Sequence, residues 1–154
     1  VNQGELLLYK IDKQVLKHCP LFESLTERQV KKFVLLANQK KFEDGDAIVS
    51  AADMNREMYV ILSGAAKVIA KTNTGKKRTI DSLTVGDVIG ELAFLNNVPR
   101  TADVVATGPV EALVLTPESI EKVINADSKT SAKVYKNLSR LVATRLTSAT
   151  QKVA

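Results

Sequence analysis

One cysteine and one histidine in 154 residues leave this chain poor in the chemistry of side-chain catalysis and metal binding. A lone Cys19 cannot form an intrachain disulfide, and with His18 as the sole imidazole there is no Cys/His set for a zinc site. No Ser/His/Asp or Cys/His grouping can be assembled either, so the chain is not expected to be an enzyme or to carry a cofactor. Long apolar runs are missing too. Stretches such as Phe33 to Ala37 and Val104 to Ala106 fall far short of the roughly 20 residues of a spanning helix. Residues 1–20 interleave Glu5, Lys10, Asp12, Lys13 and Lys17 with the apolar positions, unlike a secretory signal. A reducing cytoplasm without membrane insertion is the expected setting. The formal charge of +5 is spread along the chain rather than gathered in a basic block, so nucleic acid is expected as a partner only through a separate domain of a longer parent. The chain begins at Val1 rather than Met, which leaves room for such a parent.

What is present suits one globular domain, 45% apolar and 25% charged. Residues 1–38 read as N-terminal helices. Leu6, Leu7, Ile11, Val15 and Leu16 recur at helical spacing from residue 5 to about 18, up to Pro20. Ser24 or Thr26 can cap a second helix whose apolar face is Val30, Phe33, Val34 and Ala37. From 39 to 116 the pattern changes to short apolar runs broken by Asp44-Gly45-Asp46, Ser63-Gly64, Asn73-Thr74-Gly75, Val85-Gly86-Asp87 and Gly108-Pro109. The runs lie near 40–42, 47–50, 57–62, 65–71, 76–83, 88–89, 101–106 and 110–116, which predicts an α+β, mainly β, fold with about eight strands. Residues 117–154 form two C-terminal helices. Pro117 opens the first, and the second, from Ser131, carries Val134, Leu138, Leu141, Val142, Arg145 and Leu146 on one face. That face could pack on its own barrel or pair with a second copy to form a homodimer.

One segment breaks the strand pattern. Ile89 to Leu95 has helical character between two strands, so the first-turn amides around Leu92 and Ala93 could meet an anion, with Gly90 permitting close approach. Arg100, after Pro99, could present its planar fork to the same anion. Glu91 beside a phosphate needs another task, and accepting from a ribose hydroxyl is one. Spacing alone equally allows Glu91 and Arg100 to pair across the loop for about 0–1 kcal/mol.

The run Gly90-Glu91-Leu92-Ala93-Phe94-Leu95-Asn96-Asn97-Val98-Pro99-Arg100-Thr101-Ala102 resembles the phosphate-binding cassette of the cyclic-nucleotide-binding family, known from catabolite activators and protein kinase A regulatory subunits. Tyr59 to Gly64 and Gly86 to Gly90 resemble that family's strand and turn segments in matching order. The resemblance covers residues 20 to 150 and implies an eight-stranded antiparallel β-roll, jelly-roll-like, with its cassette at 89–101 in this chain. It also implies roles. Glu91 would accept from the ribose 2′-hydroxyl, and Arg100 with the amides of Leu92, Ala93 and Thr101 would hold the phosphate. Ile89 stands where many members have Phe, and Val68 and Ile80, inward on neighbouring strands, would pack the base. Thr101 admits cGMP as well as cAMP, with cAMP favoured. On the last helix Arg145 and Thr150 would lid the base, while Ala149 departs from the second hydroxyl of catabolite activators. The implied function is a sensor whose ligand moves that helix. Alternatives are the sensor part of a DNA-binding regulator, or a degenerate roll used for protein contacts.

Overall fold

The structure is a computed structural model, which describes residues 3–153, with side chains from residue 3 to 148. The expected first helix is two helices, α1 (Gln3–Lys10) and α2 (Lys13–His18). Asp12 divides them: its backbone is extended and its carboxylate accepts from the Gln14 amide at 2.9 Å, capping α2. A short polar side chain that can bond its own backbone competes with helix continuation. After a 3₁₀ turn at Pro20–Phe22, α3 (Glu27–Leu35) starts at Thr26 rather than Ser24. Thr26 Oγ1 accepts from the Gln29 amide at 3.2 Å, and the Gln29 side chain accepts from the Thr26 amide at 2.9 Å, a reciprocal capping box.

Eight strands follow: β1 (Asn38–Phe42), β2 (Ala47–Val49), β3 (Met58–Ser63), β4 (Ala66–Lys71), β5 (Lys77–Leu83), β6 (Val88–Ile89), β7 (Asp103–Ala106) and β8 (Val110–Leu115). They form two four-stranded antiparallel sheets, ordered β1-β8-β3-β6 and β2-β7-β4-β5. The first sheet is buried on both faces. Met58, Val60, Leu113 and Leu115 meet the helices through Leu21, Phe33, Ile120 and Leu138, while Tyr59, Ile61, Ala112 and Val114 meet the second sheet through Ala66, Val104 and Ala106. Double burial explains why Met58 to Ile61 and Ala112 to Leu115 are unbroken apolar runs. The second sheet covers one face only, and in β5 Leu83 alone is buried.

The helix α4 (Glu91–Asn96) interrupts the strands between β6 and β7, and α5 (Pro117–Ala126) and α6 (Ser128–Val153) close the chain. The last helix begins at Ser128, earlier than expected, because Asp127 caps it. The Asp127 carboxylate accepts from Thr130 Oγ1 at 2.7 Å and from the Lys129 amide at 3.1 Å, and these bonds, Thr130 foremost, hold its carboxyl below the usual range. Thr130, Val134, Asn137 and Leu138 of α6 are buried. Asn137 donates to the Leu21 carbonyl at 2.9 Å and the Glu23 carbonyl at 2.8 Å, tying α6 to the 3₁₀ turn. The expected apolar face continues more loosely beyond that point: Leu141 is half-buried against the helical core, Val142 is half-buried, and Leu146 is exposed. No helix among the described residues is long and apolar enough to cross a membrane.

Candidate functional site

A cleft of about 1450 Å³ lies between α4, the Arg100 segment, the β4–β5 hairpin and α6. Its floor is organised by Gly90. Strand β6 ends at Ile89, and Gly90, at φ +97°, turns the chain into α4 through the left-handed region. Ile89 itself is buried inside the roll, opposite Tyr59. Leu92 is 42% exposed at the cleft, Ala93 is buried, and their amides fall in the first turn of α4, where a helix supplies no partner. Phe94 anchors α4 in the helical core. The Arg56 guanidinium caps that anchor, 5.4 Å from the Phe94 ring and donating to the Phe94 carbonyl at 2.7 Å.

Arg100 is held from the opposite side by the loop between β2 and β3. Its amide donates to the Asp53 carbonyl at 2.9 Å, and its carbonyl accepts from the Ala52 amide at 2.8 Å. Nη2 of the guanidinium donates to the Glu57 carbonyl at 2.6 Å and to Asn55 Oδ1 at 3.2 Å. The remaining nitrogens, Nε and Nη1, are buried with no hydrogen-bond partner among the described residues. Only 7% of Arg100 is exposed. Burial pulls its guanidinium below the ordinary value, against the attraction of Tyr59, Asp53, Glu57 and Glu91. A buried cation with two idle donors is costly unless an acceptor meets it, and an anion entering the cleft supplies one.

Glu91 is 2% exposed and does not pair with Arg100. Its Oε1 lies 2.7 Å from Nε of Arg145, whose Nη2 also donates to the Val88 carbonyl. Its Oε2 is buried and has no hydrogen-bond partner among the described residues. The site therefore presents two idle donors on Arg100 and one idle acceptor oxygen on Glu91, as a molecule carrying both an anionic oxygen and a hydroxyl requires.

Thr101 is exposed at the lip of the cleft. Val68 lines it half-buried, against the core between the sheets. Ile80 departs from the inward orientation expected of it: it lines the cleft but is 37% exposed. The cause is a bulge, since Val68 pairs with Asp81 and Ile69 with Thr79, leaving Ile80 as the extra residue. Arg145 reaches the site as a partner of Glu91. Thr150 and Ala149 lie outside the residues with described side chains. Sequence reasoning missed the loop of Asp53, Asn55 and Glu57. The available signal was the Asp53-x-Asn55 pair, each of whose side chains bonds the backbone two residues on.

The antiparallel roll with its internal helix thus brings a buried guanidinium and a buried carboxylate to one cleft, an arrangement suited to a small ligand that carries both an anionic oxygen and a hydroxyl. Residues 39–127 match the family described as "Cyclic nucleotide-binding domain", and the chain belongs to it. It is similar to a cAMP-dependent protein kinase regulatory subunit of Mycosarcoma maydis, 34% identical over 71% of this chain and 20% of that protein. It is also similar to the cGMP-dependent protein kinase egl-4 of Caenorhabditis briggsae, 34% identical over 79% of this chain and 16% of that one. The chain thus spans about a fifth or less of these two relatives. Among solved structures it resembles the Thermus thermophilus catabolite activator protein, with 27% identity, a TM-score of 0.77, and coverage of 87% of this chain and 61% of that one.

Proposed function

We propose that the whole chain is one sensor domain for a cyclic nucleotide, with cAMP preferred over cGMP, and that binding is transmitted through α6. The observation that carries this reading is the pairing of idle groups. Nε and Nη1 of Arg100 await an anion, and Oε2 of Glu91 awaits a hydroxyl, in a single cleft. A 3′,5′-cyclic nucleotide offers both: an exocyclic phosphate for Arg100 and the amides of Leu92, Ala93 and Thr101, and a ribose 2′-hydroxyl for Glu91. Val68, Ile80 and Ile89 supply the apolar wall for sugar and base. The named dependence of the Mycosarcoma relative on cAMP supports the first choice, and that of egl-4 on cGMP keeps the second in view. Transmission is a population shift, in which the nucleotide favours the state with the distal part of α6 over the cleft. The output belongs to whatever the domain is joined to; the likeness to the catabolite activator favours a DNA-binding regulator as the second reading.

The test is calorimetric titration of cAMP and cGMP into the wild type and Arg100→Glu. Both nucleotides bind the wild type, cAMP more tightly. The variant loses about ten- to hundredfold or more, since a charge-assisted contact is replaced by repulsion. A wild type that binds neither nucleotide refutes the sensor reading, and an undiminished Arg100→Glu places the phosphate elsewhere.

A further inference from the structure

The second sheet ends at β5, whose only ladder partner is β4. That hairpin gathers charge which the sequence disperses. Asp and Glu are absent from Met58 to Ile80, while the hairpin carries Lys67, Lys71, Lys76, Lys77 and Arg78. Register sets Lys71 directly opposite Lys77, and Ile69 opposite Thr79. Directly paired residues share a face. Since Val68 and Ala70 line the cleft, alternation along β4 puts Lys67, Ile69 and Lys71 on the other side, with Lys77 and Thr79. Like charges facing each other across a ladder repel. Lys77 is relieved by Asp103, 3.6 Å away, whereas Lys67, Lys71 and Lys76 form no ion pair among the described residues. The strand edge is open as well. The Thr72 amide donates to the Lys76 carbonyl at 2.7 Å, so these two residues are a hydrogen-bonded pair. Antiparallel pairs alternate in type, and the amides and carbonyls of Lys77 and Thr79 therefore point away from β4. Beyond Thr79 the bulge at Ile80 bends the strand and ends the register.

We propose that the β5 edge docks an extended acidic segment of a partner protein, which adds antiparallel beside Lys77 to Thr79 and sets its carboxylates among Lys71, Lys76 and Lys77. Two arguments select this occupant. A second copy of the chain is disfavoured, because edge-to-edge pairing would bring Lys76, Lys77 and Arg78 against their own counterparts. A nucleic-acid backbone or an anionic lipid surface answers the charge but makes no use of outward strand amides and carbonyls, whereas a peptide answers both. The residues of the added strand that bond to Lys77 and Thr79 share their face, so the acids belong at alternate positions. The docking face lies across the sheet from the cleft, and neither Lys76 nor Lys77 lines that cleft. Docking is thus separate from the nucleotide site. The few main-chain bonds available before the bulge make the contact weak and sensitive to salt.

The probe is a fluorescein-labelled decapeptide of alternating glutamate and valine, titrated by anisotropy. It meets the wild type, the double variant Lys76→Gln/Lys77→Gln and, as a control of equal charge loss on α2, Lys13→Gln/Lys17→Gln. All four lysines are exposed, so both variants keep the fold, which melting curves verify. The hairpin variant binds the peptide on the order of tenfold more weakly, and the α2 variant stays within about twofold of the wild type. Raising the ionic strength from about 0.05 to 0.5 M weakens the wild type severalfold. N-methylation of the glutamates abolishes pairing, while N-methylation of the valines, whose amides face away from β5, spares it. The proposal is overturned by absence of binding up to about 1 mM, by equal losses in the two variants, or by two methylated peptides that bind alike. Tighter binding of oligothymidylate or of phosphatidylserine vesicles than of the peptide overturns it too, and reassigns the face to nucleic acid or to lipid.

Discussion

Gly90 and Arg100 occupy adjoining space so closely that a Cβ on residue 90 would stand 2.3 Å from Nη1 of Arg100 and 2.7 Å from the Glu57 carbonyl oxygen. The missing side chain lets the guanidinium lie against the turn, and the φ of +97° is one that L-residues adopt at a cost. Gly90→Ala therefore combines backbone strain of about 1–2 kcal/mol with displacement of Arg100. Thermal unfolding should show the lost stability, and calorimetry a loss of cAMP affinity of about tenfold or more. Full affinity in this variant would mean that the observed guanidinium position is irrelevant to the ligand.

Asn55 governs the other edge of Arg100. Its Oδ1 accepts from the Glu57 amide at 2.7 Å and from Arg100 Nη2 at 3.2 Å, so one amide oxygen shapes the loop and aims the cation. Asn55→Ala removes both bonds but leaves the Glu57 carbonyl as an acceptor for Nη2 at 2.6 Å. Partial loss follows: cAMP affinity falls about three- to tenfold, as one modest hydrogen bond to a charged group implies. Melting shifts by only a few degrees, about the effect of 1 kcal/mol. An affinity unchanged within error would assign the aiming of Arg100 to the backbone alone.

The eight strands and the helix among them were legible because turn residues punctuate the β region and because Gly90 to Thr101 is a local, contiguous pattern. Glu91 and Arg100 could be picked out by their chemistry, but not their partners. The acceptors of Arg100 sit on the loop of Asn55 and Glu57, more than forty residues upstream. The cation on Glu91 comes from Arg145, fifty-four residues downstream. Such pairings are set by how two sheets and a helix close, and local periodicity carries no trace of them. The break at Asp12 and the bulge at Ile80 were hidden for a different reason. In each case a local hydrogen-bonding choice overrides an apolar period that continues through it.

Asn137 is the polar rivet of α6, 3% exposed and donating both amide hydrogens to carbonyls of Leu21 and Glu23. Asn137→Leu matches the apolar surroundings yet strands two carbonyls, at a cost of about 2–3 kcal/mol in urea unfolding. The loss should appear as a lower midpoint with an unchanged slope, since the fold and its exposed area are kept. A variant as stable as the wild type would show that the apolar neighbours Val134 and Leu138 suffice to seat the helix.

Cys19 gives the pH dependence a signature outside the cleft. The thiol is fully buried in the helical core, and burial pushes it from 9.0 up to about 12, against the opposing pull of backbone hydrogen bonds at Leu21 and Phe22. At neutral pH the native thiol is therefore inert to an aromatic disulfide reagent and reacts only as fast as the core opens. The sign of the linkage follows from the raised value. Below pH 9.0 both folded and unfolded chains keep the proton, and the contribution to stability is intact. Above it the unfolded chain ionises first, so stability falls as pH rises toward 12, with a limiting slope of about 1.4 kcal/mol per unit. Cys19→Ala should remove that component from urea denaturation measured at successive alkaline pH values. A wild type and variant with parallel profiles there, or a native thiol that reacts at once at neutral pH, would show that Cys19 is not sealed in the core.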